Sequence, residues 1–322
     1  MISANSLYRK LRFPFKLTHA ALKYPRANAR VKQYKVLSPE QTIDLLLKND
    51  HLSISRYGDG ELEMTLFKNI GFQAFDERLS IRLKEIMRRG VNNNPSCLIC
   101  MPDAFRGTGN MRFGSALFWF FHKSFCFLRY EPLLSRKYLY GNTSVTRPYH
   151  DYKDKALSAV MFTKFKQLFE NKKILIVEGS GTRLGMGNDL LAGAAEIKRI
   201  TTLNRNAFSL YNDLYSAVLA HGRDFDLVLI SLGPTATVLA YDLSQQGIRC
   251  IDSGHIDIEY EWMRSAARDK VKVAGKNVNE AGVLLSDEVR DNDENYRSQI
   301  LLHVGLKPEA VPTAQPLRQK MM

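Results

Sequence analysis

Several things are scarce in this sequence, and each scarcity excludes a class of protein. Cysteine is one: four residues in 322 are too few for a disulfide framework and fit a reducing compartment. Cys97 and Cys100 form a single C-x-x-C on an apolar run that reads as a strand. Residues three apart on a strand face opposite ways, and no second C-x-x-C completes a zinc site. Both are therefore expected as buried core thiols. Long apolar runs are also missing, since stretches such as Leu227–Leu232 fall far short of the roughly 20 residues a membrane span needs. Leu11–Ala21 is interrupted by Arg12, Pro14, Lys16 and His19, so no secretory leader is read and a cytoplasmic protein is expected. Despite a net charge of +13, the core carries no basic stripe, helix-turn-helix or RNP motif, which argues against a nucleic-acid partner.

Acidic residues are missing altogether from residues 1–39, which contain nine Lys or Arg and so hold nine of the thirteen net positive charges. These cations alternate with Leu7, Tyr8, Leu11, Phe13, Phe15 and Leu17. An arm of this kind can lie on an anionic membrane surface, or it can simply be a solvated basic extension. The chain is accordingly divided into a basic arm over 1–40, a main domain over 41–265, and a polar, helical extension over 266–322.

The main domain alternates short apolar runs with amphipathic stretches. Lys173–Val177, Ile197–Thr201, Asp226–Leu232 and Ile248–Ile251 read as strands buried on both faces. Helices are expected from Asn188, over Ala207–Ala220, and from Pro234 to Gly247, with proline at a helix start. Upstream, Leu52–Arg56, Ser96–Met101 and Lys137–Tyr140 read as strands. Gln41–Lys48, Asp76–Arg89 and the aromatic run Phe113–Leu128 read as helices. The alternation predicts an α/β fold, a doubly wound and mainly parallel sheet with a Rossmann-like nucleotide-binding core. Ligands of such sheets bind beyond the carboxyl ends of the strands.

The unusual polar clusters all follow predicted strands. In Arg56-Tyr57-Gly58-Asp59-Gly60-Glu61, two carboxylates one residue apart can turn towards one divalent cation, and all-oxygen ligation suits Mg²⁺ or Mn²⁺. In Glu178–Asp189, glycines at 179, 181, 185 and 187 let backbone approach a pyrophosphate, and Ser180, Thr182 and Arg183 add donors. The spacing is neither a Walker A loop nor G-x-G-x-x-G, so generic ATP and NAD sites are not indicated. Gly254–Trp262 carries His255, Asp257, Glu259 and Glu261. If extended, the stretch puts all four on one face; if helical, it pairs Asp257 with Glu261. These groups could act as a general base, hold sugar hydroxyls or complete a metal site. Asn142–Tyr149, with Asn142 and Arg147, offers phosphate or sugar contacts.

Taken together, R-Y-G-D-G-E (56–61), T-R-P-Y (146–149), V-E-G-S-G-T-R-L-G-M-G-N-D-L (177–190), N-R-N-A-F (204–208), L-G-P-T-A-T-V-L-A-Y-D-L (232–243) and G-H-I-D-I-E-Y-E-W (254–262) resemble the bacterial GT-D fold glycosyltransferases. That family was formerly a domain of unknown function, found with genes for cell-surface glycans and glycosylated adhesins. The resemblance spans about residues 45–265. It implies that Asp59 and Glu61 are the D-x-E metal ligands for Mn²⁺ or Mg²⁺, and that a UDP-sugar is the donor. It also implies a lipid-linked or protein-linked glycan as acceptor. Asp59, Glu61, Asp257 and Glu259 become the expected catalytic set. Arg56, Asn142, Arg147, Gly179, Ser180, Thr182, Arg183, Gly185, Thr235 and His255 become the expected nucleotide-sugar contacts. The rival reading is a non-catalytic sugar-nucleotide-binding or scaffold protein of a polysaccharide assembly complex.

Overall fold

A computed structural model describes residues 4–90, 94–278, 281–282 and 293–305. Nine strands follow in chain order: β1 (Lys35–Val36), β2 (Ser53–Arg56), β3 (Cys97–Met101), β4 (Leu139–Asn142), β5 (Lys173–Gly179), β6 (Glu196–Thr202), β7 (Leu227–Ser231), β8 (Cys250–Asp252) and β9 (Ile300–His303). They form one sheet in the order β1-β4-β3-β2-β8-β7-β5-β6-β9, and every pairing is parallel. The expected α/β architecture is what the structure has.

The pleat explains why the strands read as unbroken apolar runs. On β5, Ile174 and Ile176 enter one apolar cluster with Ile54, Phe162 and Ile251, while Leu175 and Val177 enter another with Leu214, Ile230 and Leu239. Fully burying each such side chain contributes about 1.5–3 kcal/mol. Cys97 and Cys100 likewise fall into two different clusters, both free and buried, as their spacing on a strand requires.

The helices cover both faces: α1 (Ala4–Val31), α2 (Pro39–Lys48), α3 (Asp59–Met64), α4 (Glu77–Glu85), α5 (Phe113–His122), α6 (Ala156–Phe169), α7 (Tyr211–His221), α8 (Pro234–Ser244), α9 (Ile256–Arg264) and α10 (Glu294–Gln299). α5 runs on through a π-helical turn, Lys123–Phe127, to Tyr130. Local chemistry sets several of the starts. Ser38 and Gln41 form a reciprocal capping box at α2, with proline in its first turn. Asp76 accepts from the Arg78 and Leu79 amides at α4, and Pro234 opens α8.

Three findings depart from the sequence reading. The helix expected from Asn188 is absent, and residues 180–195 run as turns between β5 and β6. Arg183, Gly185 and Gly187 hold the first half of the turn in left-handed backbone, with φ of 51°, 79° and 74°. The Asn188 side chain then bonds Asp257 and Glu261 while the chain continues to turn. The basic arm and the C-terminal extension each supply an edge strand, β1 and β9, so the sheet reaches beyond residues 41–265. Most of the arm is a single helix, α1, whose Ala20, Ala27 and Val31 are buried. Its rings meet the α5 region through Phe13–Phe121, His19–Phe125 and Tyr24–Phe120. Among the described residues, no helix is long and apolar enough to cross a membrane.

Candidate active site

The carboxyl ends of β2, β4, β5, β7 and β8 open on one cavity of about 820 Å³, where a doubly wound sheet puts its ligand. Asp59 is the first residue of α3, exposed on the cavity wall. Glu61 turns back to accept from the Gly58 amide at 2.8 Å. Burial, with the nearby Asp252 carboxylate second, pushes the Glu61 carboxyl up to about 7, and Asp59 adds to the rise. Asp59 and Glu61 thus bring two carboxylates to one end of the cavity, while Asp252 behind them is paired with Arg56, and a divalent cation would relieve the repulsion between the two. The oxygen-only donor set fits Mg²⁺ or Mn²⁺.

Arg56 stands at the junction of β2 and β8. Its guanidinium bonds the Asp252 carbonyl at 2.7 Å and carboxylate at 3.1 Å, and the Thr143 carbonyl at 3.1 Å. Gly254 makes room for it: with φ of 49°, a Cβ there would lie 1.8 Å from Arg56 Nη2. Arg56 reaches the cavity, but its donors largely serve to join the β2, β4 and β8 ends.

From Ile256 the segment is helical, so Asp257 and Glu261 stand together. Asn188 donates to both, at 2.8 and 2.7 Å. Asp257 also accepts from the Gly185 amide at 3.0 Å and pairs with buried Lys276 at 2.6 Å. Burial raises the Asp257 pKa and Lys276 opposes the rise. Asp257 borders the cavity, yet its oxygens are committed to holding the glycine-rich turn. Glu259, expected as a catalytic carboxylate, is fully buried and outside the cavity wall. One of its oxygens accepts from the Tyr149 and His150 amides at 2.9 and 2.8 Å, and the other lies 3.9 Å from Arg147. Burial pushes its carboxyl up to about 7. This carboxylate anchors a loop, because its position on α9 turns it inward.

The other expected contacts divide in the same way. Arg147, Gly179, Thr182 and His255 line the cavity. Asn142 does not: it is buried, bonding Leu37, Asp103 and Ser144. Ser180 is buried against Asn204, and Thr235 is sealed inside α8. Gly185 donates its amide to Asp257 rather than facing the cavity. Arg183 points to the far side of its turn, 2.9 Å from Asp293 and over the Tyr296 ring.

Several cavity residues were not anticipated. Phe118 and Trp119 of α5 form an aromatic wall, with Arg112, Ser115, His150 and Asp151 beside it. Asn204, from the N-R-N-A-F motif, bonds the Gly181 amide at 2.8 Å and receives Asn277 at 2.7 Å. Lys270 and Asn277, on the segment after α9, also line the cavity. The aromatic density of Phe113–Leu128 was the available signal for the first group. Nothing local signals the last.

The family model for "Glycosyltransferase GT-D fold" matches residues 54–281. The chain belongs to the GT-D fold glycosyltransferases. It is 40% identical over 292 residues to "Probable glycosyl transferase Gly" of Streptococcus gordonii, covering 91% of this chain and 42% of that protein. To "Glycosyltransferase GlyD" of Streptococcus pneumoniae serotype 4 it is 39% identical over 269 residues, 82% and 32% of the respective lengths. The chain therefore spans less than half of either curated relative. Among solved structures, a highly conserved domain of unknown function 1792, described as having a distinct glycosyltransferase fold, superposes with a TM-score of 0.80 at 33% identity. The match covers 87% of this chain and 99% of that one. A glycosyltransferase from Streptococcus sanguinis superposes at 0.76 with 40% identity, over 84% and 100%. The GT-D segment is thus an enzyme domain, and its match extends past α9 to include the segment carrying Lys270 and Asn277.

Proposed function

We propose that this domain transfers a sugar, in the simplest case a hexose, from a UDP-sugar to a protein-linked or lipid-linked glycan, with Mn²⁺ or Mg²⁺ held by Asp59 and Glu61. The observation that carries the reading is the open Asp59 carboxylate beside Glu61, facing the glycine-rich turn across one cavity. A scaffold that only binds a sugar nucleotide has no need of a crowded carboxylate pair. When bound, the metal would neutralise the diphosphate as it leaves. The chain's own part is to orient and to exclude water. Thr182 and Asn204 offer donors beside the Gly179 backbone; Asp257 fixes the turn that presents Thr182, and Asn204 follows the end of β6. The aromatic wall of Phe118 and Trp119 suits a sugar ring. Incubation with a panel of nucleotide sugars and Mn²⁺ tests the proposal: release of UDP and free sugar is expected, and silence with every donor would return the scaffold reading.

The same proposal includes peripheral contact with the inner face of an anionic membrane. Phe15 and Leu22 on α1 are 80% and 78% exposed and share one helical stripe, seven residues apart. Arg12, Lys16, Lys23 and Arg26 flank it. Apolar insertion would add a salt-insensitive term to an attraction worth up to about 1 kcal/mol per cation. Full-length protein should co-sediment with phosphatidylserine vesicles, while Phe15→Ser/Leu22→Ser should not; equal sedimentation would limit α1 to covering the α5 region.

A further inference from the structure

A second group of ligand-type side chains stands behind the cavity wall. Glu63 of α3, His122 at the end of α5 and Cys126 in the following π-helical turn bring one oxygen, one nitrogen and one sulfur within 4.8 Å of one another. His122 and Cys126 are four residues apart, so both project from one helix face. Helical turns of the π type recur at functional sites. His122 is 4% exposed and its Nδ1 meets no hydrogen-bond partner among the described residues, while the other ring nitrogen lies 3.3 Å from Tyr130 Oη. A buried imidazole nitrogen left unpaired is costly unless something binds it. A cation already sits beside the cluster: Lys68 Nζ is 2.9 Å from Glu63 and 3.8 Å from Cys126.

We infer that Glu63, His122 and Cys126 form a site for a borderline divalent metal of the zinc class, distinct from the oxygen-ligated pair at Asp59 and Glu61. Imidazole and thiolate select such ions over Mg²⁺ and Mn²⁺. Tetrahedral bond lengths separate ligand atoms by about 3.3–3.8 Å, so side-chain adjustments of about an ångström close the site. Lys68, with a side chain 40% exposed, swings out to admit the metal. Glu63 reaches the cavity wall, which offers an entry path and a water for the fourth position. Binding joins α3, which presents Asp59 and Glu61, to the helix bearing Phe118 and Trp119.

Cobalt titration of the full chain, freed of metal, reads this directly. The wild type should develop an intense thiolate-to-cobalt charge-transfer band that zinc abolishes and that survives Asp59→Asn. Cys126→Ser should lose the band, and Lys68→Met should bind zinc roughly tenfold or more tightly, because the competing ammonium is gone. Zinc should raise the melting temperature of the wild type but not of Cys126→Ser. Absence of the band in both the wild type and Lys68→Met overturns the assignment and leaves a lysine-bridged structural cluster. A band that persists in Cys126→Ser assigns it to another thiol and overturns it equally.

Discussion

Strands β2 and β8 lie side by side, and each is followed by a short acidic helix, yet the two sets of carboxylates meet opposite fates. After β2, Asp59 stands exposed on the cavity with Glu61 close behind it. After β8, Asp257 is paired with Lys276 and bonded to Asn188 and Gly185, and Glu259 is sealed against the Tyr149–His150 backbone. The difference follows from what packs over each helix. Little covers the start of α3, whereas α9 is roofed by the glycine-rich turn, the 146–150 loop and the segment from 266 to 278. An acidic residue after a parallel strand is thus a candidate for chemistry only while its partners leave it open. Most of those partners are distant in sequence, Gly185 and Asn188 lying 72 and 69 residues from Asp257 and Tyr149 110 from Glu259, while Lys276 is 19 from Asp257.

The comparison is broken most sharply at Asp59. Asp59→Asn removes a charge that supports nothing else in the fold, so turnover should fall by roughly three orders of magnitude while the melting temperature stays put. Several kcal/mol of transition-state stabilisation correspond to that factor. Donor hydrolysis at saturating Mn²⁺ beside a thermal melt measures both. A near-native rate would remove Asp59 from the metal site.

Asp257 should do the reverse. Asp257→Ala leaves buried Lys276 with only the longer Glu261 contact at 3.8 Å, so the loss should lie near the lower end of the roughly 3–5 kcal/mol that breaking a buried pair costs. Urea unfolding should show a loss of that order, and Asp257→Ala/Lys276→Met should recover much of it. If the single variant unfolds like the wild type but is catalytically dead, Asp257 belongs with Asp59 and not with the scaffold.

Glu259 sharpens the contrast through pH. Its folded pKa, about 7, lies above the ordinary carboxylate value of 4.5, so the native state holds the proton longer than the unfolded chain does. Its contribution is fully present below pH 4.5 and is lost as pH rises through about 7, by at most about 3 kcal/mol. His150 beside it is pushed down to about 4 by burial and acts in the other direction, its contribution being lost as pH falls from 6.5 towards 4. Glu259→Gln should remove the alkaline-side loss and leave the acid-side loss in place. A stability profile unchanged by Glu259→Gln would mean that the carboxylate ionises freely.

Much of this was legible in the sequence, and the limits have physical causes. Strands announced themselves because burial on both faces demands unbroken apolar runs, as Lys173–Val177 shows. The shared place of Asp59 and Glu61 at the end of β2 was legible because both sit within one motif. The helix expected from Asn188 does not form, because the Asn188 side chain bridges Asp257 and Glu261 and the chain keeps turning to residue 195. Lys270 and Asn277 were missed because only the course of the chain after α9 brings them to the cavity. Asn142 and Ser180 looked like ligand donors because a buried amide or hydroxyl and a binding one are the same residue type.

Arg183 is the mildest and most informative test. In the glycine-rich turn it reads as a diphosphate ligand, but the structure directs it to Asp293, with side chains 22% and 36% exposed, and over the Tyr296 ring at 5.1 Å. A pair this exposed is worth about 1 kcal/mol or less. Its φ of 51° is uncommon for a residue with a Cβ, so Arg183→Gly should relieve strain that Arg183→Ala retains and should be the more stable of the two. Asp293→Ala should cost more stability than Arg183→Ala, because Asp293 also caps α10 by accepting from the Tyr296 amide, and in Arg183→Ala the UDP affinity, measured calorimetrically with Mn²⁺, should stay within about a factor of two of the wild type. A tenfold loss of UDP affinity in Arg183→Ala alone would mean that the guanidinium leaves Asp293 for the diphosphate. In that event the turn closes on its ligand, and the contrast between an open β2 end and a committed β8 end would hold only in the absence of the nucleotide.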